Sequence, residues 1–185
     1  ATATNVSCNG GTNGSINLTV TGGTAPRSYV WAKTGEPGFS ATTEDLINLY
    51  AGTYNVTITD GHSCSATATA TVTQPTALSL SASVTNASCF GTATGAIDLS
   101  ISGGTTPYTK AWSNGNTSED ITLLTAGDYS VIVTDTHNCA LSDTFTVTQP
   151  TQIIAGITDT TPASCYGGHD GTATAAGSGG TPGSG

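Results

Sequence analysis

Positive charge is almost missing from this chain. Arg27, Lys33 and Lys110 are its only arginine and lysine residues, against 12 acidic ones, for a net charge of −9 at neutral pH. Nucleic-acid binding needs cations to neutralise phosphates, so nucleic acid is not an expected partner. Methionine is absent and charged residues make up only 8%. No apolar run approaches the ~20 residues of a membrane span, so none is expected in this stretch of sequence. No segment has helical periodicity. No two of the five cysteines have CxxC spacing, which argues against a zinc ribbon or a thioredoxin-like redox pair. The three histidines, His62, His137 and His169, sit in turn sequence next to or near Asp and Gly. A Ser/His/Asp triad requires a positioned base, and none of the three looks placed to be one. The chain is therefore not expected to be an enzyme, and no cofactor is expected.

What the sequence does contain is repetition. Cys8, Cys89 and Cys165 recur at spacings of 81 and 76; Trp31 and Trp112 are 81 apart. Cys64 and Cys139 are 75 apart, as are the pairs Gln74-Pro75 and Gln149-Pro150. The drop from 81 to 75 places a six-residue insertion in the first module, between Trp31 and Leu46. A fixed period of this kind signals tandem modules: 1–75, shortened at its N-terminus, then 76–150, then the start of a third, incomplete module at 151–185. The chain reads as a window on a longer array, with Gly183-Ser184-Gly185 as a cloning remnant. Duplicating a whole module multiplies contact surface rather than building one asymmetric active site.

Threonine makes up roughly a fifth of the residues, and its branched Cβ suits a pleated surface. Ile16, Leu18 and Val20 alternate with Asn17, Thr19 and Thr21, and Ile97, Leu99 and Ile101 repeat the pattern; period-two alternation marks a half-buried strand. The Gly-Gly-Thr-x-Pro turns at 22–26 and 103–107 lead into aromatic strands carrying Trp31 and Trp112. The stretches AGTYNVTITD and AGDYSVIVTD predict another strand, and proline at Gln-Pro ends the last one. About seven short strands per module, separated by Gly, Pro and Asn turns, predict an all-β fold of tandem immunoglobulin-like β-sandwiches. The linkers are too short for free jointing. Ala173, Ala175 and Gly177 replace the large apolar residues in the third module, which is therefore not expected to fold alone.

Within this scheme Trp31 and Trp112 are expected in the core, and Tyr54 and Tyr129 resemble the tyrosine corner of sandwich domains. Small, polar modules with paired cysteines point to disulfides made in an oxidising compartment. Spacing favours Cys8–Cys64 and Cys89–Cys139, with Cys165 lacking a partner, because each module then staples itself. Strand parity raises a competitor. With seven alternating strands, the turn before the second and the turn after the sixth lie at opposite ends of a sandwich, which would make Cys8–Cys139 a bond between modules. Glu44, Asp45, Asp60, Glu119, Asp120 and Asp135 recur at matching positions. Calcium takes six or more oxygens, so loops meeting at a junction would have to supply them. These six are the candidate calcium ligands, although solvated acidic loops are the plainer account and no metal is favoured.

The run SCNGGTNGSINLTVTGGTAP, followed by Tyr-Val-Trp, AGTYNVTITDGHSC and TVTQP, resembles the SprB-type repeat of Bacteroidetes cell-surface adhesins. The resemblance covers both complete modules and the start of the third. It implies an immunoglobulin-like sandwich, a secreted cell-surface location reached by type IX secretion, and a role in adhesion or gliding motility. It brings no catalytic residues. Asp159-Thr160-Thr161 resembles a short Bacteroidetes O-glycosylation motif, with Thr160 as the acceptor. The first functional reading is an adhesin or stalk in surface attachment. A second is a subunit of an extracellular filament or sheath whose incomplete modules are completed by neighbours, and a third is a carbohydrate- or calcium-dependent recognition module. The expected partners are neighbouring repeat modules or identical subunits, and surface polysaccharide or another substratum.

Overall fold

In the computed structural model, residues 1–180 are described; Gly183-Ser184-Gly185 lie outside them. The described residues form fifteen strands and no helix. The first module contains β1 (Thr2–Thr4), β2 (Gly14–Asn17), β3 (Ser28–Lys33), β4 (Glu36–Ala41), β5 (Leu46–Leu49), β6 (Gly52–Thr59) and β7 (Ser65–Val72). The second contains β8 (Ser79–Thr85), β9 (Gly95–Ser102), β10 (Thr109–Trp112), β11 (Ile121–Leu124), β12 (Gly127–Thr134) and β13 (Ala140–Val147). A hairpin of β14 (Ile154–Thr161) and β15 (Thr172–Ser178) follows.

In the first module one sheet runs β1-β2-β5 and the other β4-β3-β6-β7. That order is the hallmark of an immunoglobulin-like sandwich, with the first, second and fifth strands on one side and the third, sixth and seventh on the other. The second module repeats it as β11-β9-β8 and β10-β12-β13. It has six strands rather than seven because nothing there matches the insertion. In the first module the insertion does more than replace a turn. It builds β4, an edge strand antiparallel to β3 with Lys33 opposite Glu36.

The alternating residues fill the space between the sheets. Ile16, Leu18, Trp31, Leu46, Leu49, Tyr54, Val56 and Val72 are buried in one cluster. Ile97, Leu99, Trp112, Ile121, Leu124, Val131, Val133 and Val147 are buried in the second module. Each such side chain is worth about 1.5–3 kcal/mol on burial, and that is what fixes strand register. Tyr54 Oη donates to Tyr50 O at 2.9 Å and Tyr129 Oη to Thr125 O at 3.0 Å, so both are tyrosine corners. Tyr129 departs from the core expectation: it is only half-buried, while Tyr54 is 1% exposed. Phe39 of the inserted strand supplies the cover, edge-on to Tyr54 at 5.2 Å between ring centroids.

Contacts group the chain into two compact units. The first takes Ala1–Ser79 with Ile101–Thr109 and Thr134–Leu141, and the second takes Leu80–Ser100, Lys110–Val133 and Ser142–Gly185. One tip of the second sequence module thus belongs to the first unit. In the second unit β14 and β15 are exposed along their whole length. Small side chains on β15 bury nothing.

Candidate functional site

The most distinctive chemistry in the first unit is a disulfide between Cys8 and Cys139, 131 residues apart, with Cα atoms separated by 5.7 Å, well within bridging range. The favoured pairs Cys8–Cys64 and Cys89–Cys139 do not form; Cys64, Cys89 and Cys165 are free and exposed. The reason is strand parity. Cys8 lies in the loop between the first and second strands and Cys64 in the turn between the sixth and seventh, at opposite ends of the sandwich. Closing so long a loop contributes about 5 kcal/mol by the loop-entropy argument.

Both halves of the bond are braced. On the Cys8 side, Ser7 N donates to Asn13 Oδ1 at 3.0 Å and Gly11 N to Cys8 O at 3.0 Å. Gly10 N donates to Gln74 Oε1 at 2.8 Å, and Asn9 Nδ2 to Pro75 O at 3.0 Å. The loop is thereby tied to the module's exit strand. On the other side Asp135, only 4% exposed, organises the turn. Its Oδ1 accepts from His137 N at 2.8 Å and Cys139 N at 2.9 Å, and its Oδ2 from Thr105 N at 2.9 Å. Burial pushes the Asp135 carboxyl up, but the amides of Cys139, Thr105 and His137 outweigh that and hold it below the usual carboxylate range. The linker completes the tip: Thr76 O accepts from Gly104 N at 2.9 Å. Gly103 takes φ +72°, and a Cβ there would overlap the carbonyl oxygen of Ala77.

Asp60 does the same work at the matching turn, accepting from Thr24 N at 3.0 Å and from His62 N and Cys64 N at 2.9 Å. Those bonds, Thr24 and Cys64 foremost, hold its carboxyl low against an opposing push from burial. The other acidic candidates are also spoken for. Asp45 Oδ1 accepts from Leu18 N at 2.8 Å and Asp120 Oδ1 from Leu99 N at 3.0 Å, anchoring β5 and β11 to the strands beside them. Glu119 pairs with Lys110 at 3.4 Å, and Glu44 stands beside the Tyr29 hydroxyl. Among the described residues no three His, Cys, Asp or Glu side chains gather where they would hold a metal ion. Four of the six carboxylates accept from backbone amides, and Glu119 pairs with a lysine.

Trp31 and Trp112 are 1% and 4% exposed. Their indole N–H groups donate to Thr43 O at 2.9 Å and Ser118 O at 3.0 Å. Neither ring face is open to stack on a sugar. Thr160 is exposed on β14, opposite Ala173. Sequence reasoning missed Gln74, Gln149 and Asn13 as loop anchors. The recurrence of Gln-Pro at a spacing of 75 was the signal, since proline explains only half of the pair.

Immunoglobulin-like sandwich modules in tandem, linked by a disulfide between loops of successive modules, define the class: a repeat protein of structural or adhesive type. The chain belongs to the SprB repeat family, whose sequence pattern matches residues 1–33, 81–117 and 157–183, just over half its length. Those segments contain Cys8, Cys89 and Cys165 with their loops. Among curated proteins no sequence matches. Among solved structures, the chain is similar to a C-terminal 282-residue fragment of intimin in complex with the intimin-binding domain of the translocated intimin receptor. The identity is 16% and the TM-score 0.43, with 77% of this chain and 59% of that one covered. It is also similar to an amphioxus IgVJ-C2 molecule, at 14% identity and TM-score 0.33, covering 75% and 97%. For a structure addressing Dscam isoform specificity the values are 11% and 0.34, covering 66% and 38%. The chain thus spans less than two thirds of the intimin and Dscam chains. At these identities the likeness is one of fold alone. Among the described residues no helix is long and apolar enough to cross a membrane.

Proposed function

We propose that this chain is a section of a secreted cell-surface adhesin or stalk, exported by the type IX route and working in surface attachment or gliding. The observation that carries this reading is the Cys8–Cys139 bond. It joins loops of two successive modules, so a pull along the chain is borne by a covalent bridge as well as by the linker. A disulfide also fits an oxidising, extracytoplasmic location. Membership of the SprB repeat family supports the same role. The work proposed is projection and contact, not catalysis. Surface polysaccharide or another substratum is the proposed target, and Thr160 a proposed glycosylation site on the exposed face of β14.

The test is electron microscopy of multi-module arrays with and without reductant. The expected result is discrete rods of finite length that become more flexible once the disulfide is reduced. A second reading, a subunit of an extracellular filament, draws support from Ile153, Ile154 and Ile157, which are 73%, 62% and 62% exposed and so offer apolar surface to a neighbour. Indefinite helical polymers of constant mass per length would favour that reading and overturn the stalk.

A further inference from the structure

We propose that Cys89 and Cys64 are the two complementary halves of further clamps, each built to bond the cysteine of another repeat module. Cys89 takes the cysteine of an Asp-x-His-x-Cys turn. Cys64, held in such a turn, bonds the cysteine of a Cys-x-Gly loop. This deepens the stalk reading and rests on it.

The Cys89 loop repeats three of the four braces of the Cys8 loop, Phe90 standing where Asn9 donates to Pro75 O. Ser88 N donates to Thr94 Oγ1 at 2.9 Å, Thr92 N to Cys89 O at 3.3 Å and Gly91 N to Gln149 Oε1 at 2.7 Å. These reproduce bond for bond the braces on Ser7, Gly11 and Gly10. The linker is also in place. Gly179, φ +84°, packs on the carbonyl of Gln152 as Gly103 packs on that of Ala77, and Gly180 N donates to Thr151 O at 2.9 Å as Gly104 N donates to Thr76 O. Loop and linker are thus set at Cys89 as they are where the disulfide is made.

The surroundings fit the same occupant. Beside Cys8 a cavity of about 360 Å³ is bordered by Asn9, Ala77 and Leu78 on one side and by Cys139, Ala140 and Leu141 on the other. Beside Cys89 the cavity is about 460 Å³, bordered by Phe90, Pro150, Gln152 and Ile153. The repeat spacings carry Cys8, Asn9, Ala77 and Leu78 onto Cys89, Phe90, Gln152 and Ile153. Phe90 and Ile153 are 50% and 73% exposed, an apolar rim suited to the Cys-Ala-Leu of such a turn. The Cys64 half is pre-shaped from the other direction. Asp60 holds the turn, and a cavity of about 200 Å³ lies among Gly22, Gly23, Asp60, Cys64 and Ala66, where the matching tip receives a linker.

Forming each bond joins two sulfurs and releases two protons and two electrons. A disulfide oxidant of the extracytoplasmic space accepts them by thiol–disulfide exchange and leaves as two thiols.

The experiment appends a second copy of residues 105–150 after Gly180 of the full chain, completing the third module, and oxidises it with glutathione disulfide. Non-reducing peptide mapping is expected to find Cys89 linked to the appended cysteine, beside an unchanged Cys8–Cys139. Cys89 left free, or linked to Cys165, while Cys8–Cys139 forms would overturn the proposal and leave the stalk reading standing. Loss of Cys8–Cys139 itself would instead remove the basis of both. Should the appended residues fail to fold, the unextended chain is probed with a peptide of residues 127–147 whose Cys139 is carried as a nitrothiobenzoate mixed disulfide. Labelling of Cys89 about tenfold faster than Cys165 is expected, because exchange follows access and fit; equal rates overturn the proposal.

Discussion

The turns Asp60–Cys64 and Asp135–Cys139 are nearly the same sequence, TDGHSC and TDTHNC, and they fold with the same hydrogen bonds. Their surroundings differ. Asp135 is buried and Cys139 is bonded, whereas Asp60 is half-buried and Cys64 is exposed and free. The linker Thr76-Ala77-Leu78 and the loop of Cys8 account for the difference. They cover the second turn and pin it from outside. A repeat turn is thus shaped by its own carboxylate but buried by its neighbour, so a tip's stability is shared between modules rather than owned by one.

The two modules also differ in where an extra aromatic ring packs. The first covers Tyr54 with Phe39 from its inserted strand and has Ala70 on β7. The second has no inserted strand and carries Phe145 at the position of Ala70, against Trp112 with ring centroids 6.3 Å apart. Each module holds one such extra aromatic, on opposite edges of the same sheet.

The largest effect is expected from removing the clamp. Cys8→Ser should lower stability by about 2–5 kcal/mol, read in urea unfolding of the oxidised protein, and reductant should then change nothing further. Next, the matched glycines should part company. Gly103→Ala drives a methyl into the carbonyl of Ala77 and should cost about 2–4 kcal/mol. Gly22→Ala, at φ +76° with open space around it, should cost only the left-handed strain of about 1 kcal/mol. Equal costs would mean the linker does not press on the second tip.

The aromatic exchange is the third point to probe. Phe39→Ala uncovers Tyr54 and should cost about 1–2 kcal/mol, less than a full core truncation because Phe39 is half-buried. Adding Ala70→Phe should recover part of that loss if the two edges are interchangeable; thermal unfolding of the single and double variants decides it. The smallest effect is in acid. Asp60 and Asp135 are both held below the ordinary carboxylate range in the fold. Their contribution is present above the unfolded pKa of about 4 and is lost as pH falls through the lower folded value. Asp60→Asn and Asp135→Asn should each flatten the decline of the urea midpoint between neutral pH and acid. An unchanged pH profile in Asp135→Asn would show that its amide bonds do not favour the charged form.

The acidic residues show why a repeated position can be legible while its partners are not. Asp60 and Asp135 stand out at matching register, as calcium candidates or, more plainly, as solvated acidic loops. Their actual partners are backbone amides, which every residue except proline carries, so sequence gives no sign of which ones converge. Asn13, Thr94 and Asp170 are harder still. Three different side chains close the same loop, each accepting from the amide of Ser7, Ser88 or Ser164 at 2.9–3.0 Å.

Sequence alone determined the all-β, immunoglobulin-like class, most of the strands, the buried tryptophans and the hydrogen-bonded tyrosine corners. Period-two alternation and internal repetition are local properties that the chain displays without folding. Tertiary structure alone decided that the insertion becomes an edge strand, that Gln74 and Gln149 brace the cysteine loops, and that Cys8 bonds Cys139 rather than Cys64. A disulfide reports distance in space. Of two cysteines at opposite ends of one sandwich and two brought to the same junction, only the second pair falls within the few ångströms a sulfur–sulfur bond can span.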